Sequence, residues 1–184
     1  MIRSPMPHWQ WRHIADNDRL VLELELAQAQ VPVPDDIFVT AYKSKQLATK
    51  TGLQEAFNVE HTEQYYRFGE LISSVLPELP EAVVFHMVVH AVAASFFHKS
   101  IGNKSWLFKT HMHVLPLTPL VSIETAQDKA VALVLENNNG FATIMLLSEH
   151  LEVPDNKPFS RYSLIKCNVN VLEPVVGEDA MALI

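Results

Sequence analysis

A chain of 184 residues with 48% apolar composition can bury one sizeable core or two small ones, which excludes a disordered chain. Its net charge of −7 argues against nucleic acid or an anionic membrane as partner, because phosphates need clustered Lys and Arg. The single cysteine, Cys167, excludes an internal disulfide and a Cys-rich zinc site, and fits a reduced, cytoplasmic compartment.

Residues 1–7, with two prolines, read as a mobile lead-in, and no apolar run of the signal-peptide kind follows Arg3. The stretch 8–26, HWQWRHIADNDRLVLELEL, reads as a β-hairpin. Trp9 and Trp11 share one face of its first strand, and Ala15-Asp16-Asn17-Asp18 forms the turn. Leu20, Leu22, Leu24 and Leu26 then alternate with Val21, Glu23 and Glu25, giving an apolar inner face and a mostly charged outer one. Val31-Pro32-Val33-Pro34 cannot continue a central strand, since proline lacks the ladder donor. Ile37 to Tyr42 is a short extended piece. Lys43, Lys45 and Lys50 follow as a small basic cluster in an acidic chain, ordinarily a solvated face.

Asn58 is placed to cap a helix running to about Leu76, with Tyr65, Phe68, Ile72, Val75 and Leu76 on one face. Pro77 ends it. Pro80 opens a second helix, Glu81 to His98, whose stripe is Val83, Val84, Met87, Val88, Ala91, Val92, Ser95 and Phe96. Phe85, Val89 and Phe97 make its other sides apolar too, so the spacing predicts a helix covered on more than one side. Its apolar run falls short of the roughly 20 residues that a bilayer span needs.

From Lys104 the pattern changes to strands: Trp106–Phe108, Val121–Glu124, Ala130–Glu136, Phe141–Leu147 and Tyr162–Leu172. Asn137-Asn138-Asn139-Gly140 joins two of them as a hairpin. The expected fold class is therefore α+β. An N-terminal α/β region (1–103) holds the hairpin and two main helices. A small antiparallel, twisted β-barrel-like region (104–176) follows, and then a flexible tail (177–184).

Nine histidines raise a metal-dependent hydrolase as an alternative. His86 and His90 share a helix face, and His111 and His113, flanking Met112, would share a strand face. The helix motif His-Met-Val-Val-His, however, lacks the general-base Glu of the His-Glu-x-x-His pattern. Cys167 has Lys166 beside it but no His or acid nearby in sequence, there is no Gly-x-Ser-x-Gly elbow, and no glycine-rich phosphate loop exists. The acidic pairs Asp16/Asp18 and Asp35/Asp36 sit in turns. No catalytic, cofactor-binding or metal-binding residue is assigned. A second alternative is a small barrel binding single-stranded nucleic acid by stacking on Trp106 and Phe108, beside Lys104 and Lys109; the acidic charge opposes it.

Trp9-x-Trp11, Asp18-Arg19, Leu22-x-Leu24, and far downstream Lys104-Ser105-Trp106-x-Phe108 with Pro116 together resemble the ZapC family of cell-division proteins. So do the Val134-Leu135-Glu136 strand, the Asn-Gly turn after it and the apolar strand beyond. The resemblance runs from about residue 8 to 176, and is poor over 27–60. It implies a non-enzymatic accessory of bacterial division, cytoplasmic and at mid-cell. Such a protein binds the tubulin-like GTPase FtsZ, promotes lateral association of its protofilaments, lowers its GTPase activity and stabilises the Z-ring. It also implies an α/β N-terminal region followed by a twisted, barrel-like β region. Neither nucleic acid nor membrane is expected as partner, and the oligomeric state, monomer included, stays open. The expected contact residues for FtsZ are the cations Arg19, Lys43, Lys45, Lys50 and Lys104.

Overall fold

The structure is a computed structural model that describes residues 2–24, 37–48 and 52–184. It has the α+β architecture expected, in two compact units. One comprises residues 1–70 and 80–100, the other 71–79 and 101–184.

The first unit is built on a four-stranded antiparallel sheet. Its hairpin pairs β1 (Gln10–Ile14) with β2 (Arg19–Glu23), Trp11 opposite Leu22. β3 (Ile37–Val39) and β4 (Gln54–Ala56) complete the order β3-β2-β1-β4. The turn between β1 and β2 closes with Asp18 at φ 50°, a left-handed angle that aspartate tolerates. Trp9, Trp11, Leu20 and Leu22 are all fully buried, as the alternation requires. Val21, expected on the charged outer face, is fully buried as well. The reason lies in topology: β2 is an interior strand, with Arg12 of β1 and Val39 of β3 flanking Val21. Glu25, Leu26, the Pro32/Pro34 segment, Asp35 and Asp36 lie outside the described residues. β4 was not foreseen, since a three-residue polar edge strand carries no hydrophobic period.

α1 (Val59–Val75) begins where expected. The Asn58 side chain accepts the backbone N–H of His61 at 2.9 Å, and His61 Nδ1 accepts the Asn58 N–H at 3.2 Å. This is a reciprocal cap with histidine in place of the usual Glu or Gln. Such a cap contributes about 1 kcal/mol. Tyr65, Phe68 and Ile72 are buried along one face. α2 (Glu81–Phe97) follows Pro80 and ends at His98. Met87 to Ala94 are buried without a break, so this helix is covered on more than one side. The first unit's core is aromatic: Trp9 meets Phe57, Tyr65 and Phe85 edge-on at 5.5–6.2 Å, and Trp11 meets Phe97 at 5.4 Å. The lead-in expected to be mobile is tied down here, the Tyr65 hydroxyl donating to the Arg3 carbonyl.

The second unit holds a five-stranded antiparallel sheet, ordered β10-β7-β6-β5-β11. Its members are β5 (Leu120–Glu124), β6 (Lys129–Asn138), β7 (Phe141–Leu146), β10 (Leu164–Asn168) and β11 (Leu172–Pro174). β8 (His150–Leu151) and β9 (Phe159–Ser160) pair separately. Asn139 and Gly140, at φ 51° and 79°, make the two-residue turn that Asn-Gly predicts between β6 and β7. A bulge interrupts the β6–β7 register between Val134 and Glu136. No ladder joins the end strands β10 and β11 among the described residues, so the barrel-like sheet is not a closed barrel. One sheet face packs Val121, Ile123, Ala132, Ala142, Ile144, Ile165 and Cys167 into an aliphatic core.

Two strand expectations fail. Ser105–Leu107 is a 3-10 turn, because Asn103 Oδ1 accepts both the backbone N–H (3.0 Å) and the hydroxyl (2.6 Å) of Ser105. That short-range bonding competes with a strand. The stretch Tyr162–Leu172 is likewise broken, with Tyr162 at φ 68° before β10 and a 3-10 turn over Val169–Val171 after it. At the C-terminus, where a flexible tail was expected, α3 (Gly177–Met181) forms and buries Ala180. Gly177 allows a close approach there: a Cβ would stand 2.6 Å from the Val75 carbonyl oxygen.

Candidate partner-binding surface

The hairpin turn and the loop after β3 meet at one corner of the first unit. Asp18 Oδ1 accepts the Ser44 N–H at 3.1 Å and lies 3.0 Å from His13 Nε2. Bonding to Ser44, with His13 adding to it, holds this exposed carboxyl below its usual range. Arg19, the hairpin's candidate contact, follows the turn directly. Its guanidinium donates to the Ala41 carbonyl, on the same loop, and its side chain is half-buried. The loop then turns through a 3-10 segment, Ser44–Gln46, pinned by Gln46 Oε1 on the Lys43 N–H at 3.0 Å. Lys43 is half-buried here and Lys45 exposed. The corner thus collects Arg19, Lys43 and Lys45, which lie far apart in sequence. Lys50 lies outside the described residues.

Lys104 belongs to the second unit. Its backbone N–H donates to the Lys166 carbonyl at 2.8 Å, and its ammonium stands 5.8 Å from the centre of the Phe159 ring. Sequence reasoning missed Arg12, which is exposed on β1 and pairs with Glu23 at 2.5 Å, while Gln10 holds the other carboxylate oxygen. The signal was available, since Arg12 and Glu23 occupy the hairpin face opposite the tryptophans.

The histidines proposed as ligands are otherwise engaged. His90 is 3% exposed, with Nδ1 2.7 Å from the His86 carbonyl and Nε2 accepting the Ala41 N–H at 3.0 Å. Both ring nitrogens are used, and burial lowers its pKa to about 4, fixing the neutral form. His86 packs on Phe38 at 4.7 Å between ring centres. His111 and His113 are not on a strand; His111 sits 3.3 Å from Glu173 and His113 is exposed. The two pairs also belong to different units. The hydrolase reading therefore has no support. Cys167 is fully buried and its thiol is pushed up to about 12 by that burial, far from a nucleophile's range. The stacking pair of the nucleic-acid reading is split: Trp106 is 74% exposed but Phe108 is buried in the core.

Among the described residues, no three His, Cys, Asp or Glu side chains gather as a metal site, and no helix is long and apolar enough to cross a membrane. Fold and surface define an α+β protein in two units whose candidate contact cations sit at a braced loop corner of the first and beside β10 in the second. Comparison with known proteins gives the family. The family model "Cell-division protein ZapC, N-terminal" matches residues 2–99, and "Cell-division protein ZapC, C-terminal" matches residues 100–178. The Cell division protein ZapC of Aeromonas hydrophila is 30% identical over 176 residues, covering 95% of this chain and 93% of that protein. That of Shewanella woodyi is 30% identical over 184 residues, covering 99% and 97%, and that of Pseudoalteromonas atlantica 30% over 169, covering 88% of each. The chain belongs to the ZapC family of cell-division proteins.

Proposed function

We propose that this protein is a non-enzymatic accessory of bacterial division. It binds FtsZ in the cytoplasm, promotes lateral association of its protofilaments, lowers its GTPase activity and stabilises the Z-ring at mid-cell. The observation that carries this reading is the match of both family models, end to end, over residues 2–178. The mechanism is binding thermodynamics. A protein that prefers polymer to free subunit shifts assembly by that differential affinity. Bundling needs two filament contacts per bridging particle, from two surfaces of one molecule or from self-association. Slower subunit loss then lowers GTP turnover. Arg19, Lys43, Lys45, Lys50 and Lys104 are the proposed contacts, through which an acidic accessory meets its partner without charge repulsion. The bracing of the Arg19–Lys45 corner favours it, because a pre-ordered loop loses less entropy on binding.

Co-sedimentation with FtsZ polymerised by GTP tests the reading. The chain is expected in the pellet, with more light scattering and slower phosphate release. A chain that stays in the supernatant and leaves bundling unchanged overturns it.

A further inference from the structure

Trp106 is the large aromatic that the sequence reading placed in a strand and the structure holds in solvent, 74% exposed. Its support is rigid. Asn103 Oδ1 holds Ser105 by two hydrogen bonds, the Ser105 hydroxyl accepts the Asn168 N–H at 2.7 Å, and the Lys104 N–H reaches the Lys166 carbonyl. Asn103 also bridges to Lys166. On the far side, Leu107 and Phe108 sink into the aliphatic core. Every neighbour of Trp106 in the chain is fixed while its own indole is left in water. Burying it in a partner would release that water at little conformational cost, the circumstance in which tryptophan dominates an interface.

Two lysines near its pedestal hold no carboxylate among the described residues. The Lys104 ammonium lies over Phe159 at 5.8 Å, and the Lys166 ammonium over Phe141 at 5.9 Å. Lys109, by contrast, is paired with Glu124 and Lys129 with Glu173. Phe141 is 38% exposed, and with Lys166, Thr143 and Glu136 it lines a concavity of about 300 Å³ on the outer sheet face. Asn168, which the Ser105 hydroxyl holds, is the cross-strand partner of Phe141. Pedestal and concavity therefore flank the same end of β10.

We propose that Trp106, Lys104, Lys166 and Phe141 form a docking strip for an extended protein segment in which an apolar side chain is flanked by carboxylates. The apolar group covers Trp106, and the carboxylates meet the two lysines, which keep their ring contacts beneath. The two unpaired ammonium groups select carboxylates by local charge complementarity. Polyphosphate ligands are disfavoured, because a nucleic-acid strand needs clustered Lys and Arg along its backbone and this strip offers two lysines with Glu136 beside them. The proposal shares Lys104 with the FtsZ reading but does not rest on it, since the strip is defined by Trp106, Lys166 and Phe141 as well.

The test uses the full chain, whose tryptophan fluorescence divides by position. Trp9 and Trp11 are fully buried, so acrylamide quenching reads Trp106. The probe is a short synthetic peptide alternating Asp with Leu around a central Phe. Its counterpart carries Lys at each Asp, and a third arm uses oligothymidylate. The acidic peptide is expected to shield Trp106 from acrylamide, and Lys104→Glu with Lys166→Glu to weaken that binding by about tenfold or more. A Trp106→Ala variant, read by peptide fluorescence anisotropy, should weaken it similarly while leaving the thermal midpoint in place. No shielding by the acidic peptide, equal shielding by the Lys counterpart, or shielding by oligothymidylate alone overturns the proposal.

Discussion

Around Trp9 and Trp11 the first unit packs rings against rings. Around Val121 and Ile144 the second packs branched aliphatics across one face of a sheet. The polar groups buried with them differ accordingly. In the first unit they include His13, His61 and His90; in the second they are the hydroxyls of Ser122, Thr125 and Ser148. Aromatic packing tolerates an imidazole, since the ring stacks edge-on like its neighbours, as His61 does on Phe96 at 4.3 Å. A hydroxyl suits a sheet core because it can serve a stray backbone group, as Ser148 serves the Val131 N–H at 2.9 Å. One interior thereby holds imidazoles and the other holds hydroxyls. The largest test of the contrast is truncation. Trp11→Ala removes a fully buried ring from the aromatic cluster and should cost about 4 kcal/mol, whereas Ile144→Val in the aliphatic sheet should cost about 1 kcal/mol. Urea denaturation measures both, and comparable losses would erase the distinction.

Acid should separate the interiors next. His90 has its pKa lowered by burial to about 4, against an ordinary value of 6.5. Its neutral form is favoured by folding, so the stabilisation is complete above pH 6.5 and drains away as pH falls towards 4. At about 1.4 kcal/mol per pH unit, the full loss is about 3 kcal/mol, of which about 2 kcal/mol is gone by pH 5. His61, His86 and His98 are lowered too, each by burial first, and add in the same direction. Every one of these groups lies in the first unit. Amide exchange between pH 7.5 and 5 should show the first sheet losing protection while β5–β7 keep theirs. A uniform response would contradict the assignment.

Much of this organisation is visible in the amino-acid order, and the exceptions have causes. The hairpin, both long helices and the β6–β7 turn follow from period-two alternation, from an Asn cap before an apolar stripe, and from Asn-Gly. Each is a local signal that tertiary contacts reinforce. Gln54–Ala56 gave no such signal, being a strand only because β1 has an open edge for it. Val21 was misplaced because the number of strands beside β2 is a non-local property. Trp106 was misread because Asn103 and Ser105 satisfy each other locally, which apolar patterning does not report. Of the candidate contacts, the sequence could name the cations but not that Arg19 and Lys45 share a corner, since residues 18 and 44 meet only through the fold.

The C-terminus adds a packing test in the second unit. Gly177→Ala would place a methyl 2.6 Å from the Val75 carbonyl oxygen, and backbone must shift to admit it. Overpacking of this kind costs about 1–3 kcal/mol, so the variant's thermal midpoint should fall. If α3 were the loose tail that its composition implied, the midpoint would not move.

The smallest effects concern the corner itself, and there stability and binding have to be read together. Arg19 is tied to the Ala41 carbonyl, whereas the Lys45 side chain is exposed and makes no hydrogen bond or ion pair among the described residues. Arg19→Glu loses a charge-assisted bond at a half-buried position and should cost about 1–2 kcal/mol. Lys45→Glu should stay within about 0.5 kcal/mol, as surface changes do. On the proposed reading both weaken co-sedimentation with FtsZ, but only Lys45→Glu does so at unchanged thermal midpoint. Loss of binding with Arg19→Glu alone would mean that the arginine frames the loop rather than touching the partner. Loss with Lys45→Glu alone would place the contact on the loop crest. Retention of binding in both would move the contact off this corner altogether.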